Sequence, residues 1–146
     1  MLEVKVLHLD DEAVLPTRAK PGDAGFDLRS RTDLILSPGG GRALVPTGIA
    51  LELPEGTAGL VLPRSGLALA HGITCLNAPG LIDPGYRGEI GVILVNTDPG
   101  EAFSVARGDR IAQLVVVFLP EVSLWPAASL SSSERGEGGF GHTGRA

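Results

Sequence analysis

Glycine and proline interrupt this chain so often that long helices have little room. The sequence of 146 residues holds 21 glycines and 11 prolines, spread along its length rather than gathered in one linker. Glycine weakens helix interiors and proline breaks them, so this punctuation favours many short strands joined by turns. The length suits a single domain, and such strands close into a sandwich, jelly roll or barrel.

Apolar runs between these breaks predict strands at 2–9, 33–36, 42–45, 48–53, 57–62, 73–77, 88–96, 101–106 and 109–119. One short helix is predicted at 65–71. The run at 109–119 also has apolar residues at helical spacing, but its β-branched valines and the following Pro120 favour a strand. We therefore expect an all-β, jelly-roll-like barrel or sandwich with one short helix.

The end of the chain differs in character from the rest. From Pro126 onward the sequence carries two large apolar residues, Leu130 and Phe140, too few to bury an ordered core. We expect a domain over 1–125 and a mobile C-terminal arm over 126–146. The arm holds GEGGFG, but no helix can follow it there, so a dinucleotide fingerprint is excluded. Either the arm has no function, or it closes over a ligand as a flap.

Charge and cysteine content exclude several classes of protein. The net charge of -5 argues against a general nucleic-acid binder, and no apolar run is long enough for a membrane helix. Cys75 is the single cysteine, so an intrachain disulfide is impossible. The N-terminus lacks the basic start and apolar block of a signal peptide, and we expect a cytoplasmic protein.

Four internal segments carry side chains suited to chemistry. In AGFDL, Asp27 lies in an apolar stretch and needs a partner, either an arginine or a metal. In PRSGLA, Arg64 and the start of the predicted helix suit an anion, although this segment taken alone is more often an ordinary N-cap with a surface arginine. In RGDRIAQL, Arg110 and Gln113 interrupt an apolar strand, which suggests a lined site or a paired polar network.

The fourth segment, NAPGLIDPGYRGEI, places one acid and one aromatic residue between glycine-bearing turns. Asp83 either caps the tight turn or acts as a general base held on a rigid hairpin. Tyr86 offers a flat ring beside it.

Taken together and in order, AGFDL, PRSG, NAPGLIDPGYRGEI, RGDRIAQL and RGEGGFGHTG resemble the five motifs of the trimeric deoxyuridine triphosphatases, the dUTPases. The resemblance spans about Ala24 to Gly144. It implies a β-rich homotrimer with arm exchange that cleaves dUTP to dUMP and pyrophosphate with Mg²⁺. That reaction limits uracil in DNA and supplies dUMP for dTMP synthesis, and no nucleic-acid or membrane partner is implied.

The resemblance also implies roles for individual residues. Asp83 would activate the water that attacks the α-phosphorus, and Tyr86 would stack under the deoxyribose. The remaining nucleotide contacts would be Asn77, Leu81 and Ile82 at the uracil edge, Gly91 at a further nucleotide position, and Arg64, Ser65, Gly66 and Gln113 at the phosphates. Asp27 would anchor hydrated Mg²⁺ through water.

On the arm, the resemblance implies that Arg135 and Phe140 close the site. His142 stands where the family usually has serine, next to Thr143, and both would reach the terminal phosphate.

Two other functions are compatible with the same segments. A deoxycytidine triphosphate deaminase shares the scaffold and needs a glutamate in its pocket, for which Glu89 is a candidate of uncertain orientation. A catalytically silent nucleotide-binding module would bind dUTP without turnover.

Overall fold

The computed structural model describes residues 2–138, which form ten strands and one helix. In chain order these are β1 (Lys5–His8), β2 (Phe26–Arg29), β3 (Leu34–Leu36), β4 (Arg42–Glu52), β5 (Thr57–Leu62), α1 (Ser65–His71), β6 (Ile73–Cys75), β7 (Gly80–Ile82), β8 (Glu89–Asn96), β9 (Phe103–Val105) and β10 (Arg110–Phe118).

Two four-stranded antiparallel sheets make the body, which is a jelly-roll-like sandwich as expected. One has the order β1-β4-β8-β6 and the other β2-β10-β5-β7, while β3 and β9 form a separate pair. Neighbours in each sheet are mostly far apart in sequence, so long connections cross between the sheets. No helix within residues 2–138 is long and apolar enough to cross a membrane.

The core lies between the inner faces of the two sheets. Along β8, Ile90, Val92 and Leu94 are buried while the residues between them are partly exposed. This alternation follows from side chains pointing to opposite faces of a strand. Leu28 and Ile111 enter the same core from the opposite sheet, and each such burial stabilises the fold by roughly 1.5–3 kcal/mol.

The predicted strands at 57–62 and 109–119 and the helix at 65–71 are confirmed to within a residue. The separate strands at 42–45 and 48–53 are wrong, because β4 continues through both. Its pairing with β8 shifts register between Pro46 and Ala50, and Gly48 takes a positive φ of 75° there. A bulge absorbs the two residues that suggested a break.

Cys75 is buried in the core, and burial raises the pKa of its thiol to about 11. Since the thiolate is the reactive form, we expect no reaction of the folded protein with a thiol reagent at pH 8. One thiol per chain should titrate after unfolding in denaturant. Absorbance of released thionitrobenzoate measures both, and rapid labelling of the native protein would contradict the buried position.

Candidate active site

A polar cavity of about 330 Å³ opens where β2, β5 and β10 lie side by side. Its lining combines the sequence motifs AGFDL, PRSG and RGDRIAQL, and consists of Ala19, Asp23, Ala24, Gly25, Asp27, Arg64, Ser65, Gly66, Arg110 and Gln113. Antiparallel pairing explains the convergence, since Gln113 on the central strand faces Asp27 on one side and Leu62 on the other. Three segments distant in sequence therefore meet at one sheet end.

Asp27 is the acidic centre of this cavity, and its side chain is only 15% exposed. Arg110 Nη1 lies 3.2 Å from one carboxylate oxygen, and Arg64 Nε lies 3.7 Å from the other. The partner that the sequence required for Asp27 is thus a pair of arginines. The guanidinium groups hold the carboxylate in place and remain partly exposed toward the cavity.

Arg64 connects the cavity to the first turn of α1. Its backbone is extended at the N-cap position, and no side-chain hydrogen bond caps the helix within the part of the chain described. Arg64 Nη1 also donates to the Arg110 carbonyl at 3.0 Å, which fixes the guanidinium beside Asp27. Ser65 and Gly66 are exposed at the cavity rim, where their N–H groups are available to an anion.

Gln113 presents its amide to the cavity from the middle of the sheet. Its Nε2 donates to the Pro63 carbonyl at 3.0 Å, which orients the side chain. Gly25 lies directly against it, and a Cβ at that position would overlap Gln113 Oε1. Glycine in AGFDL is therefore required by close packing rather than by an unusual φ, a reason that the sequence does not reveal.

A second polar feature is the turn after β7, which carries Asp83 and Tyr86. The Tyr86 N–H donates to the Asp83 carbonyl at 3.1 Å and closes the turn through the backbone. The Asp83 side chain is exposed, and it forms no hydrogen bond or ion pair with any other residue within 2–138. The alternative that Asp83 serves to cap the turn is therefore not supported.

Tyr86 is held in a defined orientation although it is 46% exposed. Its hydroxyl donates to the Glu89 carbonyl at 2.9 Å. The ring lies across Gly88, where an added Cβ would come within 2.6 Å of the ring carbon Cζ. The phenol end of the ring is thus packed close to Gly88, while the residue as a whole remains exposed.

The residues assigned to the uracil edge surround the same turn. The predicted hairpin is wrong as a pair of bonded strands, because β7 pairs with β5 in one sheet and β8 pairs with β4 and β6 in the other. We keep the name hairpin for this chain reversal between the two sheets, residues 77–89. Asn77 and Leu81 are exposed, whereas the Ile82 side chain is buried and only its backbone is available. Asn77 Nδ2 would lie 3.3 Å from a Cβ built on Gly80, so the amide packs closely on the start of β7. Backbone groups and one amide are suited to reading donors and acceptors on a base.

Within one chain, the hairpin and the polar cavity are far apart. Ile82 pairs with Gly59 on β5, and Arg64 lies five residues further along the chain, two beyond the end of β5, which is about 16 Å at 3.3 Å per extended residue. Asp83 lies one residue further in the opposite direction. Asp27 is also separated from β7 by three strand spacings, about 14 Å. The structure does not bring Asp83 together with the cavity residues in a single copy.

The remaining predicted residues lie elsewhere. Gly91 is on β8 opposite Pro46, with the Leu44 side chain over it, so it belongs to neither feature of this chain. Arg135 lies in an exposed turn, where its Nε donates to the Gly138 carbonyl at 2.9 Å. Phe140, His142 and Thr143 lie outside the described residues.

The sequence leaves the orientation of Glu89 open, and the structure defines it. Glu89 Oε1 accepts the Gly48 N–H at 2.7 Å and lies 3.2 Å from Arg31 Nε. The carboxylate therefore turns toward β4 and is already engaged. Arg110 is a further site residue that the polar position in RGDRIAQL indicates without revealing its partner.

No cluster of three metal-binding side chains occurs within residues 2–138. Asp27 is one carboxylate beside two guanidinium groups, which does not suffice to hold a divalent cation directly. Mg²⁺, however, keeps several waters and is commonly bound through substrate phosphates with one or two carboxylates. The donor set fits an outer-sphere contact with a phosphate-bound Mg²⁺.

A second cavity, of about 510 Å³, is lined mainly by apolar side chains from the N-terminal segment up to β2 and from β4 and β10. Its charged lining residue is Arg18, whose guanidinium stacks 4.3 Å from the centre of the Phe26 ring. One cation within an apolar lining does not match a triphosphate.

Comparison with known proteins adds to this geometry. The family model for dUTPase matches residues 11–144. A deoxyuridine 5'-triphosphate nucleotidohydrolase of Thermobifida fusca is 52% identical over 143 residues, 98% of this chain and 79% of its own. The corresponding protein of Cutibacterium acnes is 51% identical over 144 residues, which cover 99% of this chain and 94% of that protein.

Solved structures of dUTPases also match this chain. The dUTPase of Staphylococcus bacteriophage 80alpha with dUPNHPP matches with a TM-score of 0.87 and 30% identity, over 98% of this chain and 99% of that one. A point mutant of the dUTPase from phage phi11 of S. aureus, described with a structural Mg(II) ion, matches with a TM-score of 0.79 and 27% identity, over 89% and 99%.

Proposed function

This chain belongs to the dUTPase family and is a dUTP diphosphatase, and we propose that Asp83 activates the water that attacks the α-phosphorus. The observation that carries the assignment is the exposed carboxylate of Asp83 on a turn closed by backbone hydrogen bonds. A general base needs a fixed position and a free lone pair. Asp98, another turn acid, instead uses its carboxylate to hold its own loop.

The phosphates occupy the polar cavity in this proposal. Arg64, Arg110 and the N–H groups at Ser65 and Gly66 supply donors to phosphate oxygens, and Gln113 adds a neutral amide. Bound Mg²⁺ supplies charge neutralisation of the transferring group and orientation of the leaving pyrophosphate. Asp27 would contact that ion through water while remaining paired with its arginines.

The hairpin binds the nucleoside. Tyr86 lies under the deoxyribose and leaves no room for a 2′-hydroxyl, and Asn77 with the backbone of Leu81 and Ile82 pairs with uracil. A closely packed pocket rejects the methyl group of thymine by overlap, and mismatched donors reject cytosine by leaving buried polar groups unpaired.

A complete site requires more than one copy of the chain. Adjacent phosphates share a bridging oxygen, so the base at the α-phosphorus and the groups on the next phosphates must act within a few Å of one another. The separation of Asp83 from Arg64 in one chain prevents this. We infer that the hairpin of one subunit meets the cavity of the next, a head-to-tail contact that closes into a ring such as a homotrimer.

The C-terminal arm would provide the last component. After β10 ends, Val122, Leu124 and Trp125 are 67%, 92% and 83% exposed. Exposure of these apolar side chains to water is unfavourable, and packing on a neighbouring subunit would remove it. Arg135, Phe140, His142 and Thr143 would then close over the nucleotide from the arm. Closure excludes water from the phosphates, and reopening releases product.

Removal of residues 135–146 should lower kcat/KM for dUTP by at least tenfold, because the truncated site stays open to water. The apolar residues at 122–125 are kept, so the oligomer should remain intact by light scattering. Pyrophosphate release measures turnover. Unchanged kinetics would support the alternative that the arm has no function.

The assigned activity is tested by pyrophosphate release from dUTP, UTP, dTTP and dCTP, with Mg²⁺ and with a chelator. Turnover confined to dUTP and dependent on Mg²⁺ is the expected result. Binding of dUTP without turnover would support the silent module, and ammonia release from dCTP would support the deaminase. The engagement of Glu89 with Gly48 and Arg31 argues against the deaminase.

A further inference from the structure

Glu89 connects the nucleoside hairpin to β4, the neighbouring strand of its sheet. It is the first residue of β8, immediately after the turn that carries Asp83 and Tyr86. Its carbonyl accepts the Tyr86 hydroxyl at 2.9 Å, and its carboxylate accepts the Gly48 N–H at 2.7 Å. One residue therefore contacts the ring of Tyr86 through its backbone and β4 through its side chain.

The donor on β4, the Gly48 N–H, is held in a defined position. Gly48 sits in the bulge with φ 75°, and a Cβ there would lie 2.9 Å from the Ala13 side chain. Its carbonyl accepts the Leu9 N–H at 2.8 Å, so both backbone polar groups of Gly48 are hydrogen-bonded. The bulge turns the Gly48 N–H out of regular pairing with β8 and toward the Glu89 carboxylate.

Arg31 completes the attachment. Its Nε lies 3.2 Å from Glu89 Oε1, and the two side chains are 35% and 27% exposed. The Arg31 N–H donates to the Pro46 carbonyl at 3.0 Å, and its carbonyl accepts from Arg107 Nη1 at 2.6 Å. The arginine is thus fixed by its own backbone, and charge-assisted bonds of this kind are stronger than neutral ones.

We propose that Glu89 is a positioning residue that sets the orientation of Tyr86 and thereby the rejection of ribonucleotides. The carboxylate fixes the start of β8, the Glu89 carbonyl fixes the phenol, and Gly88 leaves room for the phenol end of the ring. Loss of the carboxylate frees the carbonyl to shift and lets the ring tilt away from the sugar. This inference rests on the proposed role of Tyr86 under the deoxyribose.

The test compares kcat/KM for dUTP with kcat/KM for UTP. Glu89→Ala should lower the dUTP-to-UTP ratio by about tenfold, the effect of one lost positioning contact, mainly through UTP gaining access. Glu89→Gln should restore most of the ratio, since its amide oxygen still accepts the Gly48 N–H. Glu52→Ala is the matched control, because it also removes an ion-paired glutamate of the same sheet, bonded to Lys5 at 3.0 Å, that makes no hydrogen bond to the Tyr86 turn within residues 2–138.

A double-mutant cycle with Tyr86→Phe separates positioning from general stability. That change removes the phenol hydrogen bond, so its effect on the ratio should not add to that of Glu89→Ala. Additive effects, or a Glu89→Ala variant with a lower Tm and an unchanged ratio, would overturn the proposal.

If Glu89→Ala does not fold, the same cycle is run with Arg31→Ala. A ratio that falls about tenfold and is not additive with Tyr86→Phe then supports the proposal, and an unchanged ratio overturns it. A wild-type protein that fails to distinguish dUTP from UTP would instead contradict the assigned role of Tyr86, whatever the variants do.

Discussion

Asp83→Asn should lower kcat for dUTP by roughly 10²–10⁴-fold while leaving nucleotide affinity nearly unchanged. Asparagine has the same shape and cannot accept the proton of the attacking water. The turn itself should survive, because the Tyr86 N–H is bonded to the Asp83 carbonyl and not to its side chain. Single-turnover pyrophosphate release and calorimetric titration with a non-hydrolysable dUTP analogue measure the two quantities.

Asp98→Asn provides the matched control for this substitution. Asp98 also lies in a turn, but its Oδ1 accepts the N–H groups of Gly100 and Glu101 at 2.9 and 2.8 Å. These bonds lower the pKa of Asp98, so its carboxylate stabilises the fold above the unfolded pKa and loses that effect as pH falls through the folded value. Asp98→Asn should therefore lower Tm at pH 7, less so near pH 3, with kcat unchanged. Near-normal turnover in Asp83→Asn would contradict its role as base.

Mixing two inactive variants should restore activity if each site is shared between subunits. Asp83→Asn lacks the proposed base, and Arg64→Ala lacks a proposed phosphate ligand that lies about 16 Å or more away in the same chain. In randomly mixed rings, a site is complete when its hairpin comes from the Arg64→Ala chain and its cavity from the Asp83→Asn chain. Equal mixing then completes about a quarter of the sites.

The measurement is pyrophosphate release before and after the two variants are mixed, mildly dissociated and reassembled. Activity near a quarter of wild type, from parents that are each almost inactive, is the expected result. An unmixed double variant reassembled alone controls for contamination and should stay inactive. No recovery, with exchange of subunits demonstrated by mass, would place both groups in one chain and overturn the shared site.

The short elements show where sequence patterns lose information. β2 and β7 were not predicted, because β2 directly follows Gly25 and β7 begins at Gly80, directly after Pro79, and both are local signals for a turn. The break expected within β4 was wrong because long-range strand pairing overrode a local signal. Pro46 and Gly48 are strong local signals for an interruption, but the pairing of β4 with β8 on both sides of them outweighs the local preference.

The amino-acid pattern alone was sufficient for the all-β class, the short helix, and the family to which the motifs belong. Those properties depend on local punctuation, on side-chain alternation, and on residue types in a fixed order. The pairing of Asp27 with Arg64 and Arg110 required the three-dimensional structure, as did the close contact of Gly25 with Gln113. Each joins segments that are distant in the chain and that the strand order β2-β10-β5 brings side by side, so long-range register sets such contacts.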